Sequence, residues 1–461
     1  MGIANRGVMH SKTPSLLGTL GLLTLALAAC AAPSIEDDGG SSAALAKCAE
    51  AKPWAAGVAY ATDSAVTYQG QTYRCVQGHT SQEDWAPNVV PALWEPITCA
   101  KTPAPPTPTT PPTGTGTTTP PTPPPPTGGP APAGLVFGPY KDVGISMNYN
   151  TNVASTKVSG NLVPFGDDAA ASNAKTVTLA FATGECGTEN WVGIPGATMA
   201  SANMPALQKA GVKYIVSTGG AAGKFTCASD EGMRTFLDRW ASPNLVGIDF
   251  DVEAGQSAAD IQNLVNRAAT IHTRYPNLRV SFTLATLAPS QAGSTTAKSL
   301  GAATPASFNA HGDQTMAAVK TTFGFDGTAA KWPSFLTINL MTMDYGAPGP
   351  FICVVANGKC DMGESAIQAA YNLRDKHGVP FKNIELTPMI GQNDVQGEVF
   401  SLVDVDTMTK FAKANGLAGI HYWSYDRDID CPAGSASPIC NSVGGIGTRG
   451  YLARFLANGL K

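Results

Sequence analysis

Three acidic side chains alternate with apolar ones in one short run, Val246-Gly247-Ile248-Asp249-Phe250-Asp251-Val252-Glu253. Side chains of a β-strand point alternately to its two faces, so Asp249, Asp251 and Glu253 share one face at a spacing of about 6.5–7 Å. Like charges at this distance repel each other. The crowding raises the pKa of at least one acid, which suits a general acid at neutral pH. The run therefore predicts an acid–base catalytic site at the end of a buried strand.

Two other interpretations fit alternating acids. A calcium-binding EF-hand loop also spaces its acids in this way, but it requires Gly at its sixth position and Glu at its twelfth. A solvated edge strand is the second alternative, and the bulky alternates Ile248, Phe250 and Val252 favour burial instead.

The surrounding elements predict an α/β fold. Eight apolar runs have the length and composition of buried parallel strands, namely 135–142, 176–182, 214–218, 245–252, 279–285, 336–341, 384–389 and 419–423. Helical patterns lie between several of them, for example 231–240, 258–275, 364–377 and 404–415. Eight such units predict a (β/α)8 TIM barrel, whose active site lies at the carboxyl ends of the strands. A doubly wound open sheet is the alternative, but the early turns lack a G-x-G-x-x-G loop.

The acidic run resembles the D-x-x-D-x-D-x-E signature of glycoside hydrolase family 18, the chitinases and their relatives. Asp249, Asp251 and Glu253 match its last three acids, and Val246 stands where the first Asp would be. The preceding predicted strand ends in Ser217-Thr218-Gly219-Gly220, which is similar to the family's S-x-G-G motif. The resemblance covers nearly all of residues 135–461 and implies a TIM-barrel hydrolase.

The end of the sixth predicted strand carries a third motif, Met341-Thr342-Met343-Asp344-Tyr345-Gly346. Many family members have M-x-Y-D here, and the Tyr and Asp hold the N-acetyl group of the substrate. Asp344 matches the Asp, and Tyr345 follows it as in an M-x-M-D-Y-G subgroup. The resemblance thus implies Asp344 and Tyr345 in the catalytic set and Met341 among the substrate contacts.

Further substrate contacts are expected at other strand ends. Trp423 matches the family's strand-eight Trp, which forms the floor of the subsite beside the scissile bond; the alternative is a core Trp. Gln392, in the run Met389–Asp394, could bind sugar hydroxyls, although ordinary loop hydrogen bonds would explain it nearly as well. Tyr140, near the first strand, is a weaker candidate of the same kind.

The mechanism that the family implies is substrate-assisted and needs no metal, cofactor or carboxylate nucleophile. Glu253 would protonate the glycosidic oxygen, and the acetamido oxygen of the substrate would attack the anomeric carbon. Asp251 would orient the acetamido group, Asp249 would set the charge of Asp251, and Tyr345 and Asp344 would assist.

Residues 48–99 form a compact aromatic block with Trp54, Trp85 and Trp94. Its order of motifs, W-x5-Y, V-x-Y-x-G-x-x-Y, H-T and A-L-W, resembles carbohydrate-binding module family 5/12, small β-rich chitin binders. Trp85 stands in a loop-like stretch and is expected to be the exposed sugar-stacking residue. Trp54 and Trp94 are expected in the core.

The flanking segments predict an exported, tethered chain. Residues 1–29 have the charged start and short apolar stretch of a secretory signal, and Leu27-Ala28-Ala29-Cys30 resembles the bacterial lipobox. Lipidation of Cys30 would be the chain's only membrane attachment; an ordinary signal is the alternative. Residues 30–47 are a flexible spacer, and residues 100–134 are a Pro/Thr-rich extended linker.

Charge and cysteine content limit the partners. Charged residues make up 14% of the chain and the net charge is -4, which argues against nucleic-acid binding. With Cys30 set aside, pairs are expected at 48/99, 186/227, 353/360 and 431/440, and Cys75 would remain as a buried thiol. We expect a monomer acting on chitin and N-acetylchitooligosaccharides.

Two other functions remain open at the level of sequence. A non-catalytic chitin-binding lectin could use the same barrel, but such proteins typically lose the terminal Glu, and Glu253 is present. An endo-β-N-acetylglucosaminidase acting on N-glycans or peptidoglycan would keep the chemistry and change the substrate.

Overall fold

The computed structural model describes residues 51–61, 64–75, 79–81, 86–87, 93–97, 134–253 and 255–461. The chain divides into two compact units, residues 1–111 and 112–461. The division falls within the Pro/Thr-rich segment. In the described part of the chain, no helix is long and apolar enough to cross a bilayer.

The first unit contains a small all-β module. Its strands are Lys52–Pro53, Ala59–Tyr60, Ala65–Tyr68, Gln71–Cys75, His79–Thr80 and Trp94–Ile97. Val66, Cys75 and Trp94 form its buried core, and Trp54 and Tyr60 pack against them half-buried. The expected core position is therefore confirmed for Trp94 and in part for Trp54.

The second unit is built on a parallel sheet, as predicted. Its strands, named here the first to the eighth barrel strand, are Val136–Asp142 (in two pieces, Val136–Phe137 and Tyr140–Asp142), Thr176–Ala182, Lys213–Gly219, Leu245–Val252, Arg279–Ala285, Leu336–Met341, Ile384–Thr387 and Gly419–Ile420. The last two are shorter than predicted, although Met389 and Trp423 still pair beyond their ends.

The sheet closes into a barrel through its interrupted first strand. The piece Val136–Phe137 pairs with the eighth strand, whereas the piece Tyr140–Asp142 pairs with the second strand. All pairings between barrel strands are parallel. The (β/α)8 barrel is thereby confirmed.

One helix follows each barrel strand. The helices are Phe165–Ala171, Gly196–Lys209, Asp230–Trp240, Ala258–Arg274, Ala310–Phe323, Met362–His377, Leu402–Asn415 and Gly450–Ala457. The seventh begins two residues before the predicted Asp404, because Ser401 and Asp404 form a capping box. The apolar faces of these helices pack on the outward side of the sheet in one continuous core.

The loops of the second unit contain short strand pairs and 3-10 turns. Two-stranded pairs join Ser155–Val158 with Asn161–Pro164, Gly184–Glu185 with Phe225–Thr226, Asn190–Trp191 with Ile194–Pro195, Val355–Ala356 with Lys359–Cys360, and Gly391–Gln392 with Val399–Phe400; 3-10 turns lie at Gly301–Ala303, Ala329–Lys331, Phe381–Asn383 and Tyr425–Arg427.

Three of the expected disulfides are present, Cys186–Cys227, Cys353–Cys360 and Cys431–Cys440. Cys75 is buried. Cys30, Cys48 and Cys99 lie outside the described residues, so the predictions for them are unchanged.

Candidate active site

Asp249 lies inside the barrel and accepts four hydrogen bonds. The hydroxyls of Tyr140 and Ser217 donate to its Oδ2 at 2.9 and 2.7 Å. Thr283 donates to its Oδ1 at 2.8 Å, and Ser281 donates to the same oxygen. These four donors fix the Asp249 carboxylate directly behind the other two acids.

The glycines of the S-x-G-G motif allow two close approaches. Gly219 has a φ of +89°, and a Cβ there would lie 2.1 Å from the carbonyl oxygen of Asp251. At Gly220 a Cβ would lie 2.9 Å from the ring of Phe181. Only glycine therefore permits the third strand to end against both Asp251 and Phe181.

Asp251 and Glu253 form a hydrogen-bonded carboxyl pair. Burial raises the pKa of Asp251 well above its usual value, and the charges of Glu253 and Asp249 and a hydrogen bond with Glu253 raise it further. Burial also raises the pKa of Glu253, while hydrogen bonds from Asp251 and the Ala221 backbone act against that rise. Among the described residues, Asp251 Oδ1 is buried without a hydrogen-bond partner. The pair therefore retains a proton at a pH where isolated carboxyl groups have lost theirs.

Glu253 opens onto a cavity of about 310 Å³ at the carboxyl ends of the strands. Met341 and Asp344 line the same cavity, together with Thr286 and Phe308. The structure thus brings together three of the predicted site residues, Glu253, Met341 and Asp344, around one accessible space.

Asp344 is held by the loop that follows the seventh strand. Its backbone is left-handed, with a φ of 51°. Its N–H donates to Asn393 Oδ1 at 3.2 Å, and the Val395 N–H donates to its Oδ1 at 3.1 Å. Burial raises the pKa of Asp344, and the hydrogen bond from Val395 opposes the rise. Its charge in turn contributes to raising the pKa of Glu253.

Tyr345 is placed differently from its neighbour. Its ring belongs to the apolar core and is 4% exposed, and it does not line the cavity with Glu253. The Tyr345 N–H donates to Glu398 Oε2 at 3.0 Å. Burial raises the pKa of the Tyr345 hydroxyl well above its usual value. Its expected catalytic role stays a prediction that this placement does not support.

Two half-buried aromatic rings form a stack at the strand ends. Trp423 stacks on Phe181 with ring centroids 5.6 Å apart and an interplanar angle of 21°. Trp423 therefore keeps part of its surface available, as a sugar platform requires. Phe181, missed by the sequence analysis, is the last residue but one of the second strand, and that position was its only signal.

Tyr140 is not placed as the sequence predicted, which was as a substrate contact. It is 2% exposed, and its hydroxyl is occupied by Asp249, Thr283 and Asn339. A side chain enclosed in this way cannot contact substrate directly. Its place is beneath the acids, where it holds Asp249.

Gln392 also serves the protein itself. Its amide nitrogen donates to the carbonyls of Asn393 and Glu398 at 3.1 and 3.2 Å, which favours the loop-bonding alternative. Arg427, which the sequence analysis missed, donates to the Ile390 carbonyl at 3.0 Å and to the Gln392 carbonyl. The two side chains fix the loop that positions Asp344.

Trp85 lies outside the described residues, so its predicted stacking role is unchanged.

One group of possible metal ligands in the described part of the chain is Glu185, Cys186 and Cys227. The two sulfurs are joined in a disulfide and cannot serve as thiolate ligands.

Comparison with known sequences matches both units. Residues 53–95 match the model of carbohydrate-binding module family 5/12. The chain is 33% identical over 111 residues to chitinase Chi52 of Paenibacillus xylanexedens, 24% of this chain and 18% of that protein. It is 29% identical over 249 residues to endochitinase 11 of Metarhizium anisopliae, 49% of this chain and 41% of that protein. The chain spans less than half the length of these curated relatives.

Solved structures establish the barrel as a known type. The catalytic domain of the hyperthermophilic chitinase from Pyrococcus furiosus superposes with a TM-score of 0.52 at 23% identity, covering 72% of this chain and 97% of that one. A likeness at this identity establishes the fold. The second unit therefore has the fold of a chitinase catalytic domain, and the activity is argued below.

Proposed function

We propose that the chain is a chitinase that hydrolyses β-1,4 linkages between N-acetylglucosamine units with retention of configuration. The observation that carries this proposal is the proton-retaining Asp251–Glu253 pair at the rim of the 310 Å³ cavity, backed by the charge of Asp249. A general acid must hold its proton near the operating pH, and burial of this pair raises both pKa values in the required direction.

Glu253 acts first as the acid. It donates a proton to the glycosidic oxygen while the bond from that oxygen to the anomeric carbon breaks. The acetamido carbonyl oxygen of the substrate forms a new bond to the anomeric carbon, which gives an oxazolinium ion. Asp251 accepts a hydrogen bond from the acetamido N–H and stabilises the positive charge. Glu253, now ionised, takes a proton from the water that attacks the same carbon and reopens the ring.

The neighbouring side chains prepare this reaction. Asp249 lies behind Asp251, and its charge helps to raise the pKa of Asp251. Asp344 and Met341 line the cavity beside Glu253, where the sugar would sit. The exposed part of the Trp423 ring offers a face on which a sugar could stack.

The first unit and the N-terminus extend the proposal. The module matched at residues 53–95 would hold the enzyme on chitin, with Trp85 stacking on sugar. Signal-directed export and lipidation of Cys30 would place a monomeric enzyme at the cell envelope. Acyl labelling that persists in Cys30→Ser, or unchanged chitin retention of Trp85→Ala, would contradict the respective part.

The central experiment compares the wild-type chain with Glu253→Gln on colloidal chitin and N-acetylchitooligosaccharides. Gln keeps the shape of the side chain and removes the proton donor, so kcat should fall by about 10²–10⁴-fold. Glu231→Gln changes an exposed helix residue in the same way and should leave kcat unchanged.

Two results would decide against the proposal. Absence of cleavage by the wild-type chain would exclude a chitinase; oligosaccharide binding without cleavage would instead identify a lectin. Cleavage of N-glycan or peptidoglycan substrates alone would move the activity to an endo-β-N-acetylglucosaminidase.

A further inference from the structure

A buried ion pair crosses the barrel interior on the amino-terminal side of the acids. Arg279 begins the fifth strand, and its guanidinium pairs with Glu385 of the seventh strand. Glu385 also contacts His421 Nε2 of the eighth strand at 3.1 Å. Barrel interiors are normally filled by branched apolar side chains, and burying a charge is costly. Packing alone therefore does not explain why these charges lie inside the barrel.

The fifth strand connects this ion pair to Asp249. Arg279, Ser281 and Thr283 alternate along the fifth strand, and Ser281 and Thr283 both donate to Asp249. The fifth strand is paired with the strand that carries Asp249, with Asp249 opposite Ser281. Glu385 lies two strands further round the sheet. The positive member of the pair is thus the one nearer to Asp249.

A second route runs through Tyr140. The imidazole of His421 packs edge-on against the Tyr140 ring at 5.8 Å, and the Tyr140 hydroxyl donates to Asp249. His421 Nδ1 donates to the Gly138 carbonyl at 2.7 Å, which leaves Nε2 to accept from the Arg279 guanidinium at 3.4 Å. Burial lowers the pKa of His421 to about 3, so it adds no second positive charge near neutral pH.

Among the described residues, the titratable groups that face Arg279 are Glu385, the neutral His421, Tyr140 and Asp249. Arg279 and Glu385 also line a cavity of about 320 Å³, together with His272 and Lys382. Burial lowers the pKa of Arg279 to about 10, and the charges of Asp249 and Tyr140 act in the opposite direction. Asp249 faces Tyr140, Asp251 and Arg279, and its other neighbours are uncharged hydroxyls.

We propose that Arg279 is a positioning residue for catalysis: held by Glu385 and His421, it places a positive charge beside the Asp249 carboxylate, beneath the Asp251–Glu253 pair. The mechanism proposed above gives Arg279 no role. The inference rests on the proposed function for its kinetic test but not for its thermodynamic one.

The kinetic test removes the pair without leaving a buried charge. In Arg279→Gln/Glu385→Gln, the loss of the cation leaves the charge of Asp249 uncompensated beside Asp251, whose pKa that charge raises. The acidic limb of kcat/KM should then move to higher pH by about half a unit or more. Arg279→Lys keeps the charge and should keep the limb in place, even if the chain is less stable.

The matched control is the Arg239–Glu189 pair, whose carboxylate is equally buried but lies outside the barrel interior. Arg239→Gln/Glu189→Gln should lower the thermal midpoint without moving the limb. If the Arg279→Gln/Glu385→Gln variant also shows no limb shift, or if Arg279→Lys shifts the limb as far, Arg279 has only a structural role.

A thermal double-mutant cycle tests the same coupling without any substrate. We expect Asp249→Asn to lower the thermal midpoint of the wild type. In the Arg279→Gln/Glu385→Gln background, the decrease should be smaller by at least about 2 °C. Additive effects would overturn the inference. If the wild-type chain cleaves nothing, the proposed function fails, and the cycle still decides the role of Arg279.

Discussion

Replacing Tyr140 by Phe isolates one hydroxyl of the network beneath the acids. That hydroxyl donates to Asp249 at 2.9 Å and accepts from Asn339 Nδ2 at 3.0 Å. Phe keeps the ring, so its packing against His421 and Trp423 is retained. The substitution therefore removes one of four donors to Asp249, together with the contacts of the hydroxyl with Asn339 and Thr283.

The size of the effect follows from the partner's charge. A hydrogen bond to a charged group contributes about 1.5–3 kcal/mol. For a unit of this size the loss should lower the thermal midpoint by roughly 2–4 °C. If about half of that energy supports the charge that Asp251 and Glu253 require in the transition state, kcat/KM should fall by about 4- to 12-fold.

The assay pairs this variant with Tyr214→Phe. Tyr214 is equally enclosed and donates to the Trp240 carbonyl at 2.7 Å, far from the acids. It should lose stability and retain kcat/KM on N-acetylchitohexaose. Should Tyr140→Phe keep kcat/KM within about twofold of wild type while losing similar stability, the idea that this hydroxyl supports catalysis through Asp249 is refuted.

Two further predictions concern stability. The raised pKa of Asp251 means that ionising it in the folded chain costs stability above the pKa of the unfolded state, about 3.9. Asp251→Asn should therefore raise the thermal midpoint at pH 7 and lose that advantage near pH 4 in calorimetry; equal effects at both pH values would contradict the raised pKa. Cys186 and Cys227 are 41 positions apart, whereas Cys353 and Cys360 are 7 apart. Replacing the first pair by Ser should lower the free energy of unfolding by about 1.5 kcal/mol more than replacing the second, as measured in urea; the reverse order would contradict loop entropy as the cause.

The strand pattern predicted the acids well because alternation is a local property. The shared face of Asp249 and Asp251 follows from two-residue periodicity alone, and the structure places both inside the barrel. The fifth strand has a comparable pattern. Polar residues alternate with apolar ones at Arg279, Ser281 and Thr283, which predicts that these side chains share the inward face with the acids.

The loop residues could not be predicted in the same way. Asp344 adopts a left-handed backbone whose partners, Asn393 and Val395, lie about 50 positions away. Gln392 is held by the same loop and by Arg427. Such side-chain directions depend on long-range contacts that no local pattern encodes, so Tyr345, Gln392 and Tyr140 were assigned roles that their surroundings do not support.

The interrupted first strand also determines when the site can exist during synthesis. The His421–Gly138 contact joins positions 283 residues apart, and Tyr140 is held next to the eighth strand by a backbone hydrogen bond to Tyr422. At about 5–20 residues per second, the ribosome makes the acids roughly 8–33 seconds before it makes the strand that closes the barrel. Nascent or truncated chains that contain Asp249, Asp251 and Glu253 should therefore lack an assembled site until the eighth strand has been made.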